Sequence, residues 1–270
     1  MANPAFSQSP AFSGKPAVPA APAVPTPTAE QLDQQFAIPT ATADQMGRMT
    51  YQDTIVKTAI SFVVLLVGAT IGWVVPVLML PAAIVGFVLA MVNIFRKKPS
   101  PVLVLSYSGV QGIFVGAISA WYTVRFGSGI VPMAVFGTFG VVAVTLALFA
   151  SGQVRASKRG TQIFLAAMLG YLAFSLVNIV LMMTGVVNSM YGLRDMVIPG
   201  TNIPLGVPLG ILVVLLGAYS LVIDFEQVKI GVQRGAPRVF AWQAAFGIML
   251  TVIWLYLEIL RLISYFMPRS

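Results

Sequence analysis

The chain is 270 residues long, with 58% hydrophobic and only 9% charged residues and a mean hydropathy of +0.89, whereas an ordinary soluble domain is about one-quarter charged; a water-soluble fold is excluded for want of polar surface. Its formal charge of +8 is no nucleic-acid footprint, because the basic residues fall between apolar runs and not along one face. Histidine and cysteine are both absent, which removes disulfides, thiolate chemistry, serine–histidine catalysis and the usual physiological pH switch, and leaves proton sensing to carboxylates.

Residues 1–45 hold eight of the 18 prolines, including the run AVPAAPAVPTPT, and have no apolar segment preceded by basic residues. Such a segment is neither a signal peptide nor a span. It is expected to be a disordered cytoplasmic tail, because it cannot bury enough apolar area to offset its ordering entropy. From Tyr51 onward the pattern changes to long apolar runs. They predict an all-α, polytopic membrane domain over 46–270 with seven transmembrane helices, near 55–75, 80–95, 102–124, 130–150, 160–185, 205–228 and 239–266. The second span is short, so a helical hairpin with the first, turning at Pro76 and Pro81, is the alternative.

Lys and Arg set the orientation. With the N-terminus inside, the cytoplasmic set is Lys15, Arg48, Lys57, Arg96, Lys97, Lys98, Arg155, Lys158, Arg159, Lys229, Arg234 and Arg238, against Arg125, Arg194 and Arg269 outside, with Arg261 inside the last span. A multi-pass protein of the cell membrane with its C-terminus outside follows. The last apolar run, Val239 to Phe266, exceeds the roughly 20 residues needed to cross a bilayer. Ala241 to Gly247 (AWQAAFG) is therefore expected to be an interfacial turn of helix, with the crossing beginning near Gly247, which places Glu258 near mid-bilayer.

An ionisable group at the centre of a span costs roughly 2.5–3.5 kcal/mol on insertion scales, so each one is a candidate site. Asp224, in SLVIDFEQV, is expected about 6 Å from the cytoplasmic end of the sixth span. Glu226, two residues on, faces elsewhere and is expected at the headgroups. Glu258, in WLYLEILRLISYF, shares a face with Arg261 three residues later. Two readings stay open for it: an intrahelical ion pair that only lowers the insertion cost, or an acid facing Asp224 or a water-filled path as a proton-sensitive latch. Gln111, Asn178 and Asn93 are uncharged and fit interhelical hydrogen bonding, with Gln111 and Asn178 the candidates for polar groups along a path. GxxxG spacings at Gly68/Gly72, Gly112/Gly116 and Gly206/Gly210 suggest close helix packing. Neither a Gly-rich phosphate loop nor a G-x-S-x-G elbow nor a metal-ligand cluster occurs, so neither an enzyme nor a bound cofactor is expected.

At two of these segments the sequence resembles the Bax inhibitor family, especially its bacterial members. LYLEILRLISYF is similar to that family's LYLDIINLF-type last helix, so Glu258 falls on its functional aspartate; IDFEQV is similar to its YDTQ-type ending, so Asp224 falls on the partner aspartate. MLPAAIVGF and QGIFVG are weaker echoes, and the order of elements agrees from about Met49. The resemblance implies seven helices with the last surrounded by the other six. It also implies a pH-sensitive calcium leak, held shut by a proton-sharing carboxylate pair and by a basic residue near the second helix, here one of Arg96, Lys97 and Lys98. Calcium or another cation is then a transient partner besides the lipid bilayer. The chain departs from the family in carrying Glu at 258, Arg261 where asparagine is usual, and Gly86 and Gln111 where further acids occur. A non-conducting regulator that binds a membrane protease or other membrane protein is the second role the resemblance implies.

Overall fold

A computed structural model describes Thr28 and residues 46–268. The expected tail over 1–45, apart from Thr28, and Arg269 lie outside the described residues.

Seven helices follow in order: α1 (Tyr51–Val74), α2 (Met79–Phe95), α3 (Pro101–Phe126), α4 (Ile130–Ala150), α5 (Lys158–Met183), α6 (Gly206–Gln233) and α7 (Phe240–Ser264). Each is long and apolar enough to cross a membrane, α2 together with the 3-10 turn Pro76–Leu78 that leads into it. The chain is an all-α, multi-pass membrane protein. Among the described residues extended pairing is limited to two isolated bridges, Arg48 with Pro237 and Val197 with Pro204. Local chemistry sets the ends. Thr50 and Ser157 accept the Asp53 and Gly160 N–H groups at 3.0 Å each as N-caps, and Gly127, with φ of 91°, ends α3.

Two expectations are corrected by this architecture. Although Pro76 turns the chain tightly, α1 and α2 make little contact with each other and instead both pack on α3, so they are not a paired hairpin. The sixth helix continues through Gly231 to Gln233, with Glu226 and Lys229 paired three residues apart at 3.7 Å, and Gly235 follows its end. AWQAAFG, expected as an interfacial turn of helix, is helical. It is the first part of one continuous α7, with Ala241 and Ala245 fully buried against neighbouring helices.

Helix association in lipid depends on close packing, because lipid tails are as apolar as the side chains. Gly68 and Gly72 of α1 face Gly112 and Gly116 of α3 so closely that a Cβ on any of the four would overlap a backbone carbonyl of the other helix. Two of the three GxxxG spacings are thus one interface. The third, at Gly206 and Gly210, receives Tyr265 and Leu262 from the α7 segment, and Gly217 receives Leu255, which aligns α6 and α7 antiparallel. Half of the residues in the apolar span of α7 are buried, against 6% in α5. α7 packs on α1, α3, α4 and α6. It shares a core cluster with α2 through Ala90, Phe246 and Met249, and meets α5 where Trp254 lies against Tyr171.

Candidate functional site

Glu258 is 3% exposed and is held from three directions. Arg261, one turn on along α7, donates from Nη1 to Oε1 at 2.7 Å. Arg194 donates from Nη1 to Oε2 at 3.3 Å, and the Tyr171 hydroxyl of α5 donates to Oε1. Arg194 is itself 5% exposed, lies 5.2 Å over the Tyr171 ring and hydrogen-bonds its hydroxyl. The three charged groups, one carboxylate between two guanidinium groups, carry one excess positive charge. Glu258 is six residues, about 9 Å at 1.5 Å per residue, from the end of α7 and equally far from its midpoint at Val252.

Arg194 reaches this depth on a 3-10 turn, Gly192–Asp195, in the connection between α5 and α6. Asn178 of α5 builds the turn: its Nδ2 donates to the Tyr191 carbonyl at 3.1 Å and its Oδ1 accepts the Leu193 N–H at 2.6 Å. Gly192, with φ of 65°, lies where a side chain would overlap the Asn178 amide. The Tyr191 hydroxyl continues the lashing to Ser264 Oγ at 2.8 Å and Tyr122 at 3.3 Å. Just beyond α7, the Tyr265 ring lies tilted against Tyr191, 5.3 Å between centroids, and burial pushes its phenol above the ordinary range, so it is neutral at physiological pH.

Asp224 occupies a different level. Thr251 Oγ1 donates to its Oδ2 at 2.7 Å, Ser220 Oγ lies 3.3 Å from the same hydroxyl, and the other carboxylate oxygen lies against Gly247. Asp224 is nine residues from the end of α6, about 13 Å and deeper than expected, because the helix runs to Gln233. Among the described residues no basic side chain pairs with it. Glu226 faces away and pairs with Lys229, half-buried and not fully at a surface.

Thr251 and Glu258 are seven residues apart, on one face of α7 but about 10 Å along its axis. The structure therefore does not bring the Asp224 and Glu258 carboxylates together. The expected proton-sharing pair is corrected to two separate acids, each with its own partners. Arg96, Lys97 and Lys98 lie exposed after α2 and pair with neither acid. Gln111 of α3 fills the space that a side chain at Gly86 of α2 would need, so two of the departures from the family pattern are one contact. Asn93 ties α2 to α3 by donating to the Leu89 and Leu103 carbonyls at 2.9 and 3.2 Å. Arg194 was counted only as an outer basic residue in the sequence. Its signal was the LRD triplet after Gly192, which is too short to stand out.

Among the described residues no three acidic side chains converge on a point that could hold a metal ion. A cavity of about 740 Å³ opens between α1, α3, α4 and α7, with apolar walls and the hydrogen-bonded Ser119 and Tyr256 hydroxyls, 2.6 Å apart, among its lining groups. Neither Asp224 nor Glu258 lines it.

A family model described as Bax inhibitor 1 like matches residues 3–268, which takes in the N-terminal segment as well as the helices. No curated protein matches the chain.

Proposed function

The chain belongs to the Bax inhibitor 1 like family, and on that premise we propose that it is a pH-sensitive leak for calcium or another cation, seen here in a closed state. In this reading Asp224 and Glu258 act in series along one face of α7. Asp224 is the cation-facing acid, since Thr251 is a neutral partner that leaves its charge uncompensated. Glu258 instead fixes Arg194 as a plug, and two guanidinium groups at that level repel a cation. Opening requires the turn bearing Arg194 to leave. Hard oxygen ligands suit calcium, and so few carboxylates favour passage over storage. The basic end, with Arg48, Arg96–Lys98 and Arg234, is placed in the cytoplasm of a plasma-membrane protein by the excess of Lys and Arg there. No catalytic step and no resident cofactor enter this scheme.

The single observation that supports the leak is the half-buried, uncompensated Asp224 of α6, which meets through Thr251 the same face of the central helix that carries the clamped Glu258. Calcium flux into proteoliposomes tests it. Flux is expected from the wild type, reduced several-fold by Asp224→Asn and raised by Arg194→Gln, with a pH dependence that is lost when Asp224→Asn and Glu258→Gln are combined. Absence of flux, or flux indifferent to all three substitutions, sinks the proposal. The saturation of Glu258 by two arginines favours a second reading, a non-conducting regulator that binds a membrane protease or another membrane protein. Deleting residues 1–45 separates the two: a leak survives the deletion, whereas partner capture through the tail does not.

A further inference from the structure

At the basic end, residues 46–50 fold back onto the turn between α6 and α7. Met49 N–H donates to the Ala236 carbonyl at 2.7 Å, Arg238 N–H donates to the Gly47 carbonyl at 2.9 Å, and Arg48 bridges to Pro237. Asp53 fastens the same corner by accepting from Arg238 Nε at 2.8 Å, while Lys57 Nζ donates to the Arg238 carbonyl at 2.9 Å. This register lays the Arg48 side chain across Gly235, whose φ of 63° favours glycine. A cleft of about 480 Å³ results, lined by Arg48, Arg234, Thr50, Tyr51, Gln233 and Gly235 among others.

Both arginines are exposed, and among the described residues no carboxylate forms an ion pair with either. Asp53 is already committed to Arg238 and Lys57. Two like charges held in one concavity repel each other, and an anion between them removes that cost. Guanidinium forks match the oxygen geometry of phosphate. The surroundings specify the source of that phosphate. Tyr51, 50% exposed, borders the cleft and shares a face with Ile55, 67% exposed, one turn further into the apolar span. A headgroup in the cleft therefore leads directly onto a lipid-facing stripe, with a tyrosine at the depth where bilayers place it.

We propose that Arg48 and Arg234 form a site for the phosphate of an anionic phospholipid in the leaflet at the basic end. The bound lipid clamps the lead-in to α1 against the α6–α7 turn. The test is native mass spectrometry of the full chain in detergent, titrated with short-chain phosphatidylglycerol or phosphatidylcholine. The wild type is expected to prefer phosphatidylglycerol by about tenfold, equivalent to ~1.4 kcal/mol. Arg48→Gln/Arg234→Gln is expected to lose the preference, while Lys97→Gln/Lys98→Gln, which removes the same charge from the same end, keeps it. No preference in the wild type, or equal loss in both variants, overturns the site. Inorganic phosphate that binds as tightly as the lipid overturns the lipid as occupant. A photoactivatable phosphatidylglycerol on the wild type gives a readout independent of how the variants fold. Crosslinks are expected within residues 48–55 and 230–236, and crosslinks spread evenly over all spans contradict the proposal.

Discussion

Glu258 is one carboxylate facing two guanidinium groups, so removing different members of the cluster has unequal consequences. Glu258→Gln leaves the buried Arg194 and the half-buried Arg261 without their shared counter-charge, and breaking a buried pair in this way costs about 3–5 kcal/mol. Arg194→Gln leaves Glu258 still paired with Arg261 at 2.7 Å and is expected to cost less, about 1–3 kcal/mol. Denaturation of the two variants in detergent checks the order, and a larger loss for Arg194→Gln would contradict the charge arithmetic. Asp224→Asn behaves differently. Its amide oxygen can still accept from Thr251, so stability is expected to stay within about 1 kcal/mol of the wild type while proteoliposome flux falls. Both acids could be found from sequence because a charge within an apolar run is visible in one dimension. Their partners could not. Arg261 is three residues from Glu258 and was found, but Thr251 and Arg194 come from distant segments and carry no pattern that marks them.

At the scale of elements, the α1–α3 interface is the tightest helix contact, and it depends on the absence of side chains at four glycines. Gly72→Leu or Gly116→Leu would drive a branched side chain into a backbone carbonyl of the facing helix, with an expected loss of about 3 kcal/mol or more. Gly140→Leu on α4 meets nothing within 4 Å and is expected to be nearly neutral. Melting temperatures of the three variants in one detergent decide the matter: similar values would mean that the glycines do not set the packing. The spans themselves were legible because a helix in lipid must satisfy its own backbone and stay apolar for about 20 residues. Their ends were less so. α6 outran its apolar stretch because the Glu226–Lys229 pair lets the helix continue past the hydrophobic run, and AWQAAFG became part of α7 because its small residues, Ala241 and Ala245, fit against other helices. GxxxG spacing announced close contact, but which glycine pair met which could not be read along a single helix.

For the whole molecule, the seven spans and the clustering of basic residues at one end lead to a topological prediction that the absence of cysteine makes easy to test. Lys97→Cys is expected to react with a membrane-impermeant maleimide only after the cell is opened, and Thr201→Cys in intact cells. Labelling of both from the same side would overturn the orientation. The sequence by itself determined that the chain crosses a bilayer, how many times, which end is basic and that three acids, Asp224, Glu226 and Glu258, lie within the last two spans. These are properties of composition along a line, and the bilayer reads them segment by segment. Only the tertiary structure decided that Asp224 and Glu258 sit two turns apart and that Arg194, 64 residues before Glu258, closes on it. The physical reason is that every span is apolar nearly all round. Hydropathy then cannot choose an inward face, and the choice falls to small-residue packing and to the path of a connecting turn.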